Sequence, residues 1–298
     1  MSIIRKIRSN LYSNSNLLRR CWFYLSFYRR NGYFLTALNP TTFNEKVHIR
    51  KSNPSNPLFS ICSDKLAVKT WITEKGLSEI VIETYYSGKI ITYDTLKNII
   101  HENGDVLLKA NHNSGPVYLL TESCSDEQIK YACDDVNKQL KVDYGKLKNE
   151  PWYSDIPPSI LVEKRLLPHL GESSLRDYKF HVFKQSDGDA KVILHIDFER
   201  DAAHHRSFFD ENLNWIPMTS VYPSIITQIE RPKNFETMLE LAKSLAKDFS
   251  YARVDFYNVD GKIYFGELTF AHESGDAGFN SYAYDKWLGD LWQQDPRM

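Results

Sequence analysis

The sequence predicts an α+β fold, and three patterns carry that expectation. Residues 251–259 and 262–269 are aromatic and β-branched runs around Asp260-Gly261, which reads as an antiparallel hairpin. The preceding stretch, 235–249, places apolar residues at Met238, Leu241, Ala242, Leu245 and Phe249, the spacing of an amphipathic helix. Further strand-like runs are mixed with helical ones, and hairpins combined with helices point away from a doubly wound parallel sheet.

Taken in order, the chain begins with a basic segment. Residues 1–44 hold seven Arg or Lys and no acid, so the formal net charge of −1 hides a remainder with 30 basic and 38 acidic residues. Such an end suits anionic lipid, a polyanionic glycan or nucleic acid. Its longest apolar run, 21–28, lies between Arg19-Arg20 and Arg29-Arg30 and is shorter than the roughly 18 to 20 apolar residues of a membrane span. With no signal-peptide pattern, the protein is expected to be cytoplasmic. The segment reads either as an interfacial helix or as a helix that packs Trp22, Phe23 and Leu25 on the body.

NPTTFNEKV (39–47) sets Thr42 and Glu45 at capping-box spacing. Pro, Asn and Ser make 52–57 a loop, and 63–76 reads as a helix with Asp64 as N-cap and Gly76 at its end. Runs 81–88, 105–110, 160–166, 178–183 and 191–197 are expected strands, with the polar loop NHNSG (111–115) after the second. The 298 residues, 42% hydrophobic and 25% charged, suit a globular protein of two domains or one unit with a lobe attached. We expect a basic helical segment over 1–44, an N-terminal lobe over 45–100, and a sheet-rich region over 101–298. Cys21, Cys62, Cys124 and Cys133 lack CxxC spacing, which argues for a reducing compartment and against a zinc site. His204 and His205 would face opposite ways on a strand, so a solvated loop is expected there.

Charge inside the hairpin is the chemical signal. Arg253 and Asp255 share one face of the first strand, and Glu267 shares a face with Phe265 and Thr269 on the second. Buried carboxylates must be paired or bind a cation. A two-residue turn alone would throw Asp255 and Glu267 to opposite sides, whereas a longer loop or a bulge would bring them together. If they meet, a divalent cation between them is expected, and Mg²⁺ prefers carboxylate and phosphate oxygens. Lys109 closes an apolar strand before a loop whose Asn111, Ser114 and Gly115 let backbone N–H groups converge on an anion. Taken alone, that loop is an ordinary turn, Glu163-Lys164 an ordinary strand end and Lys65 a solvated lysine.

In sequence order these features resemble the ATP-grasp superfamily, and most closely its TupA-like branch of teichuronopeptide and capsular polysaccharide biosynthesis. The matching words are NPTTFNEKV, SDKLAVKTWITEKG, LLKANHNSG, ILVEKRL, DYKFHVF, RVDFY and FGELTF followed by HESG, spread over 39–289. The resemblance implies an ATP-grasp fold with the nucleotide between two α+β lobes. It also implies Lys109 and Lys65 on the phosphates, the 111–115 loop as a lid, Glu163 and the backbone at Lys164 on adenine, and Asp177 on ribose. Asp255 and Glu267 would hold Mg²⁺, Arg253 would neutralise the transferred phosphoryl group, and Lys179 would face either the phosphates or the acceptor. Thr269 stands where the superfamily commonly has Asn as a further metal ligand, which leaves room for Glu273 to contribute.

The implied activity is ATP-dependent amide formation through an acyl phosphate. The expected partners are the carboxylate of a uronic acid, in a cell-surface glycan or its precursor, and an amino acid or small amine. Nucleic acid is not expected. Arg200, Arg206 and Lys179 are candidate clamps for the acidic sugar, with solvated surface charge as the alternative for each. Docking of the basic N-terminus would place the protein at the inner face of the plasma membrane. A glycosyltransferase and a nucleotide-binding scaffold are the other readings. The first lacks a DxD motif, and Thr269 is the one feature favouring the second.

Overall fold

The computed structural model describes residues 16–36, 38–168, 174–199 and 203–298; the first fifteen residues and Arg200 lie outside them. Two antiparallel sheets organise the chain. The smaller has the order β1 (Thr84–Gly88), β4 (Ile160–Lys164), β2 (Val106–Ala110), β3 (Val117–Leu120). Its Val106, Leu108, Ala110, Ile160 and Val162 point to one side, where they pack with Leu96 and Ile100 of α5 (Tyr93–Asn103) and Ile129, Ala132 and Val136 of α6 (Asp126–Gln139). Alternation then turns Leu107, Lys109, Leu161 and Glu163 to the other side, facing the rest of the molecule.

The larger sheet has the order β10 (Lys262–Thr269), β9 (Tyr251–Val259), β5 (Asp177–Lys184), β6 (Ala190–Phe198), β7 (His205–Phe209), β8 (Trp215–Ile216). One face, with Phe180, Leu194, Val254 and Phe256, is fully buried with Phe235, Met238, Ala242 and Leu245 of α8 (Phe235–Ala246). Met238, Ala242 and Leu245 are among the apolar positions whose helical spacing the sequence displays; Leu241 is partly buried, and Phe249 is buried just beyond the helix end. The other face carries charge.

The expected capping box forms: Thr42 Oγ1 accepts from Glu45 N, and Glu45 accepts from Thr42 N, at the start of α2 (Phe43–Ser52). Asp64 does not cap a helix over 63–76. That stretch divides into α3 (Leu58–Ser63) and α4 (Ala67–Glu74), and Asp64 sits in the turn between them, accepting from Leu66 N. The expected boundary near Ile100 falls inside α5, and β1 pairs with β4 from far along the chain, so the smaller lobe takes residues on both sides of it. That pairing is non-local and leaves no mark in the composition. His205 begins β7, and His204 stacks on Tyr222 at 3.6 Å between ring centroids, so the pair is not a solvated loop. Among the described side chains of α1 (Asn16–Asn31), Phe27 is packed inward, and Leu25, set on the body by one of the two readings, is 58% exposed. The side chains of Trp22 and Phe23 lie outside the described residues.

In sequence, α7 (Tyr144–Lys148) lies between α6 and β4, and α9 (Tyr282–Leu291) follows the last strand of the larger sheet.

Candidate active site

The β9–β10 hairpin answers the puzzle of its buried charge. Val259 pairs with Lys262 around a two-residue turn, with Asp260 and Gly261 both at positive φ as such a turn requires. A bulge at Gly266 then shifts the register, so that Glu267 comes opposite Asp255. Phe265 stays opposite Phe256 on the core face, so it does not share a face with Glu267 as the uninterrupted alternation predicted.

The cation between the two acids is Arg253. Its Nε and Nη2 donate to the two oxygens of Asp255, each at 2.7 Å, and Nη2 also reaches Glu267 Oε1 at 2.6 Å. On the next strand Lys179 donates to Asp255 Oδ2 at 2.8 Å and to Asp177 Oδ2 at 2.5 Å. Burial alone would raise the Asp255 carboxyl, but Arg253 and Lys179 hold it well below the usual carboxylate range. Burial would likewise lower the Lys179 ammonium, and Asp177 and Asp255 outweigh it and raise it.

Under this layer lies a hydrogen-bonded set of histidines that the sequence reading missed. Arg253 Nη1 meets His272 Nδ1 at 2.9 Å, His181 Nε2 meets His195 Nδ1 at 2.7 Å, and Tyr251 Oη meets His181 Nδ1 at 2.9 Å. Ligand nitrogens of the three histidines lie within 4.8 Å of one another. Burial and the neighbouring cations, Arg253 and Arg206 among them, hold all three rings neutral. The same cations oppose a divalent ion there, so the rings act as a neutral brace for Arg253. Period-two spacing within β5, which puts His181 on the same face as Asp177 and Lys179, was the available signal.

Two adjoining cavities open over the charged face. The smaller, about 100 Å³, is lined by Val68, Val81, Ile82, Leu107, Leu166, Leu175 and Phe265 together with Lys65, Lys69, Lys109, Glu163 and Lys164. Glu163 is buried with its oxygens on Lys109 and on Lys69, the latter at 2.5 Å, and these two lysines overcome burial to hold its carboxyl low. Lys69 was not foreseen, although its i+4 spacing from Lys65 hinted at a shared face. The larger cavity, about 570 Å³, is walled almost wholly by polar groups, among them Lys65, Ser114, Lys148, Lys179, Asp197, Arg206, Arg253, Glu267, Thr269 and Glu273. Lys65 lines both cavities, and burial pushes its ammonium down to about 8. Arg206 is held by both oxygens of Asp197 and by Glu273 Oε1, with its guanidinium over the Tyr222 ring at 5.1 Å. Glu273 and Ser274 both stand at positive φ, unusual for non-glycine residues and placed at the cavity wall.

The expected site residues therefore divide. Lys65, Lys109, Ser114, Glu163, Lys164, Lys179, Arg253, Glu267 and Thr269 line one cavity or the other. Asn111 is 1% exposed, with its amide bonded to Asp64 Oδ1, Pro157 O and Ser159 N, so it anchors the loop and is not free to bind phosphate. Asp177 is buried beside Lys179 and serves as its counter-ion; it lines neither cavity, against the expectation of a ribose contact.

The oxygen donors fit a hard divalent cation in type. Glu267 and Thr269 also fit in position: Thr269 Oγ1 donates to Glu267 Oε1 at 3.1 Å, and Glu267 Oε2 takes no hydrogen bond among the described residues. Asp255 is 1% exposed with both oxygens engaged, so it reaches an ion only on release from Arg253 or Lys179.

The family model described as TupA-like ATPgrasp matches residues 45–293. No curated protein matches the chain. Among solved structures, D-alanyl-alanine synthetase A from Vibrio cholerae is similar at 13% identity and TM-score 0.48, over 82% of this chain and 65% of that one. D-Alanine-D-alanine ligase from Helicobacter pylori is similar at 14% identity and TM-score 0.48, over 84% and 68%. The ATP-grasp ligase PsnB complexed with minimal precursor, Mg and ADP is similar at 13% identity and TM-score 0.41, over 80% and 60%.

Proposed function

The chain belongs to the TupA-like ATP-grasp family, and from that premise we propose that it is an ATP-dependent carboxylate–amine ligase. The observation that carries the reading is a line of cations, Lys109, Lys65, Arg253 and Lys179, passing from an apolar-walled slot into a polar chamber. An adenine ring suits the slot, whose volume of about 100 Å³ is below the roughly 300–1,000 Å³ of an ordinary ligand site, so the two lobes part to admit the nucleotide. Glu163 pairs with Lys109 and Lys69 and fixes both side chains at the slot. Lys65 faces the phosphates from the junction. Arg253 is oriented before the substrate arrives and meets the transferred phosphoryl group, since phosphoryl transfer depends on positioning and charge neutralisation. Mg²⁺, when bound, would supply further neutralisation of the phosphates, with Glu267, Thr269 and Asp255 as its holders. Ser114, on a loop pinned at Asn111, would shield the acyl phosphate of the acceptor from water.

The polar chamber suits a hydroxylated, acidic acceptor better than an acyl chain. We read the acceptor as a uronic-acid carboxylate of a cell-surface (capsular) polysaccharide or its precursor, with Arg206 as its clamp, and the second substrate as an amino acid or small amine. The four free cysteines support a reducing, cytoplasmic setting.

The test is incubation with ATP, Mg²⁺ and a uronic acid, with and without mixed amines. ADP, phosphate and a new amide are expected. Glu267→Gln should slow ADP release roughly 10²–10³-fold, the effect of losing one charge-stabilising group. Consumption of a sugar nucleotide without ATP turnover, or tight ATP binding with no turnover under any amine, would overturn the ligase reading.

A further inference from the structure

The outer face of α1 is apolar. Cys21, Leu25 and Tyr28 recur at helical spacing i, i+4 and i+7 with Tyr24 beside them; Leu25 is 58% exposed and both tyrosines are exposed. Phe34, 77% exposed, stacks on Tyr28 at 4.5 Å and continues the stripe, and Leu38 is wholly exposed. Single exposed apolar side chains are ordinary, but several large ones on one short stretch mark an interaction surface.

The fold holds this face outward. On the opposite side of α1, Phe27 is buried edge-on against Tyr33 and His48, each 5.1 Å between centroids. Asn31 donates to Gly275 O and accepts from Asn44, and Ser26 donates to Asp276. Rolling the stripe inward would break all of these. Charge selects the occupant. Arg29, exposed, stands in the last turn of the helix, in a segment with seven basic residues and no acid over 1–44. Two copies of such a face would repel each other, whereas aromatic rings with arginines suit the headgroup layer of anionic lipid.

We infer that the outer face of α1, with Phe34 and Leu38, docks on an anionic lipid surface. Ser26 and Arg30, on the other side of the same helix, belong to the wall of the larger cavity. The docked face and the acceptor chamber are thus separated by one helix, about 10–12 Å across. The acceptor is then a group presented at the membrane interface, such as a sugar on a lipid anchor. This last step rests on the proposed ligase activity; the docking does not.

Co-sedimentation of the full chain with vesicles separates the two. Binding is expected to equimolar phosphatidylcholine–phosphatidylglycerol vesicles, weaker at high salt, and not to phosphatidylcholine alone. Leu25→Glu with Phe34→Glu, both at exposed positions, should cut binding about tenfold or more while circular dichroism and ATP turnover on soluble uronic acid stay unchanged. Absence of binding, equal binding to neutral vesicles, no effect of the double variant, or a dimer that the variant dissociates would each overturn the docking. With docking intact, a uronic acid on a lipid anchor in those vesicles should be used faster than the soluble one, and faster by wild type than by the double variant. Equal use would overturn the membrane-presented acceptor. Failure of all turnover with binding intact counts against the ligase reading alone.

Discussion

Arg253 explains how carboxylates come to lie inside a sheet. Its planar fork meets both oxygens of Asp255 and still reaches Glu267, a geometry that lysine cannot reproduce. Asp255 is the buried member of this set and Glu267 the half-exposed one, which predicts unequal effects. Asp255→Asn leaves Arg253 and Lys179 short of a counter-charge and should destabilise the fold by about 3–5 kcal/mol in urea titration. Glu267→Gln should change stability by no more than about 1 kcal/mol while reducing ADP release. Lys65 supplies a pH signature. Its ammonium is lowered by burial to about 8, so the free enzyme holds full charge there below that pH and loses it above. We expect kcat/KM for ATP to decline as pH rises through about 8, and Lys65→Arg, which keeps its charge, to flatten that limb.

At the scale of the element, the bulge at Gly266 decides the site. A Cβ at this glycine would lie 3.2 Å from the Asp255 carbonyl oxygen, so any larger residue crowds the partner strand. Without the bulge Gly266 itself would face Asp255 and Glu267 would turn to the core side; the bulge takes up this one extra residue and so keeps both Phe265 opposite Phe256 and Glu267 opposite Asp255. Gly266→Val, which crowds the Asp255 carbonyl, is expected to lower both ADP release and the urea midpoint, and a fully active, stable variant would show that the close approach is dispensable. The loop after β2 behaves differently from a free phosphate cradle. Its first residue is tied to both the Asp64 turn and the Pro157–Ser159 segment, leaving Ser114 at the cavity, while Gly115 lines neither cavity.

Across the whole molecule, those ties join the lobes. Asn111→Ala would leave buried polar partners unsatisfied and should cost about 1–3 kcal/mol, with faster amide exchange over 111–115. The paired acids also set the acid limit. Glu163, Asp197 and Asp255 are all held low by cationic neighbours, so their contribution to stability is complete above the ordinary carboxylate range. It is lost as pH falls through their depressed values, and the melting temperature should drop below about pH 4.

What the sequence by itself determined was local: the capping box at Thr42, the apolar stripe of α8, the Asp-Gly turn, the main strands of both sheets, and the lysines and acids that carry the family resemblance. Each is legible because turn chemistry, side-chain period and residue type act over a few neighbours. The tertiary structure alone decided the register of Glu267 against Asp255, the use of Asn111 and Asp177 inside the fold, the histidine brace under Arg253, and the crossing of the lobe boundary by β1. These depend on which strand lies beside which, and pairing between strands as far apart as β1 and β4, or β5 and β9, leaves no periodic trace in either segment. Burial and partners, which settle whether a charged side chain binds a ligand or a neighbour, exist only once those strands have met.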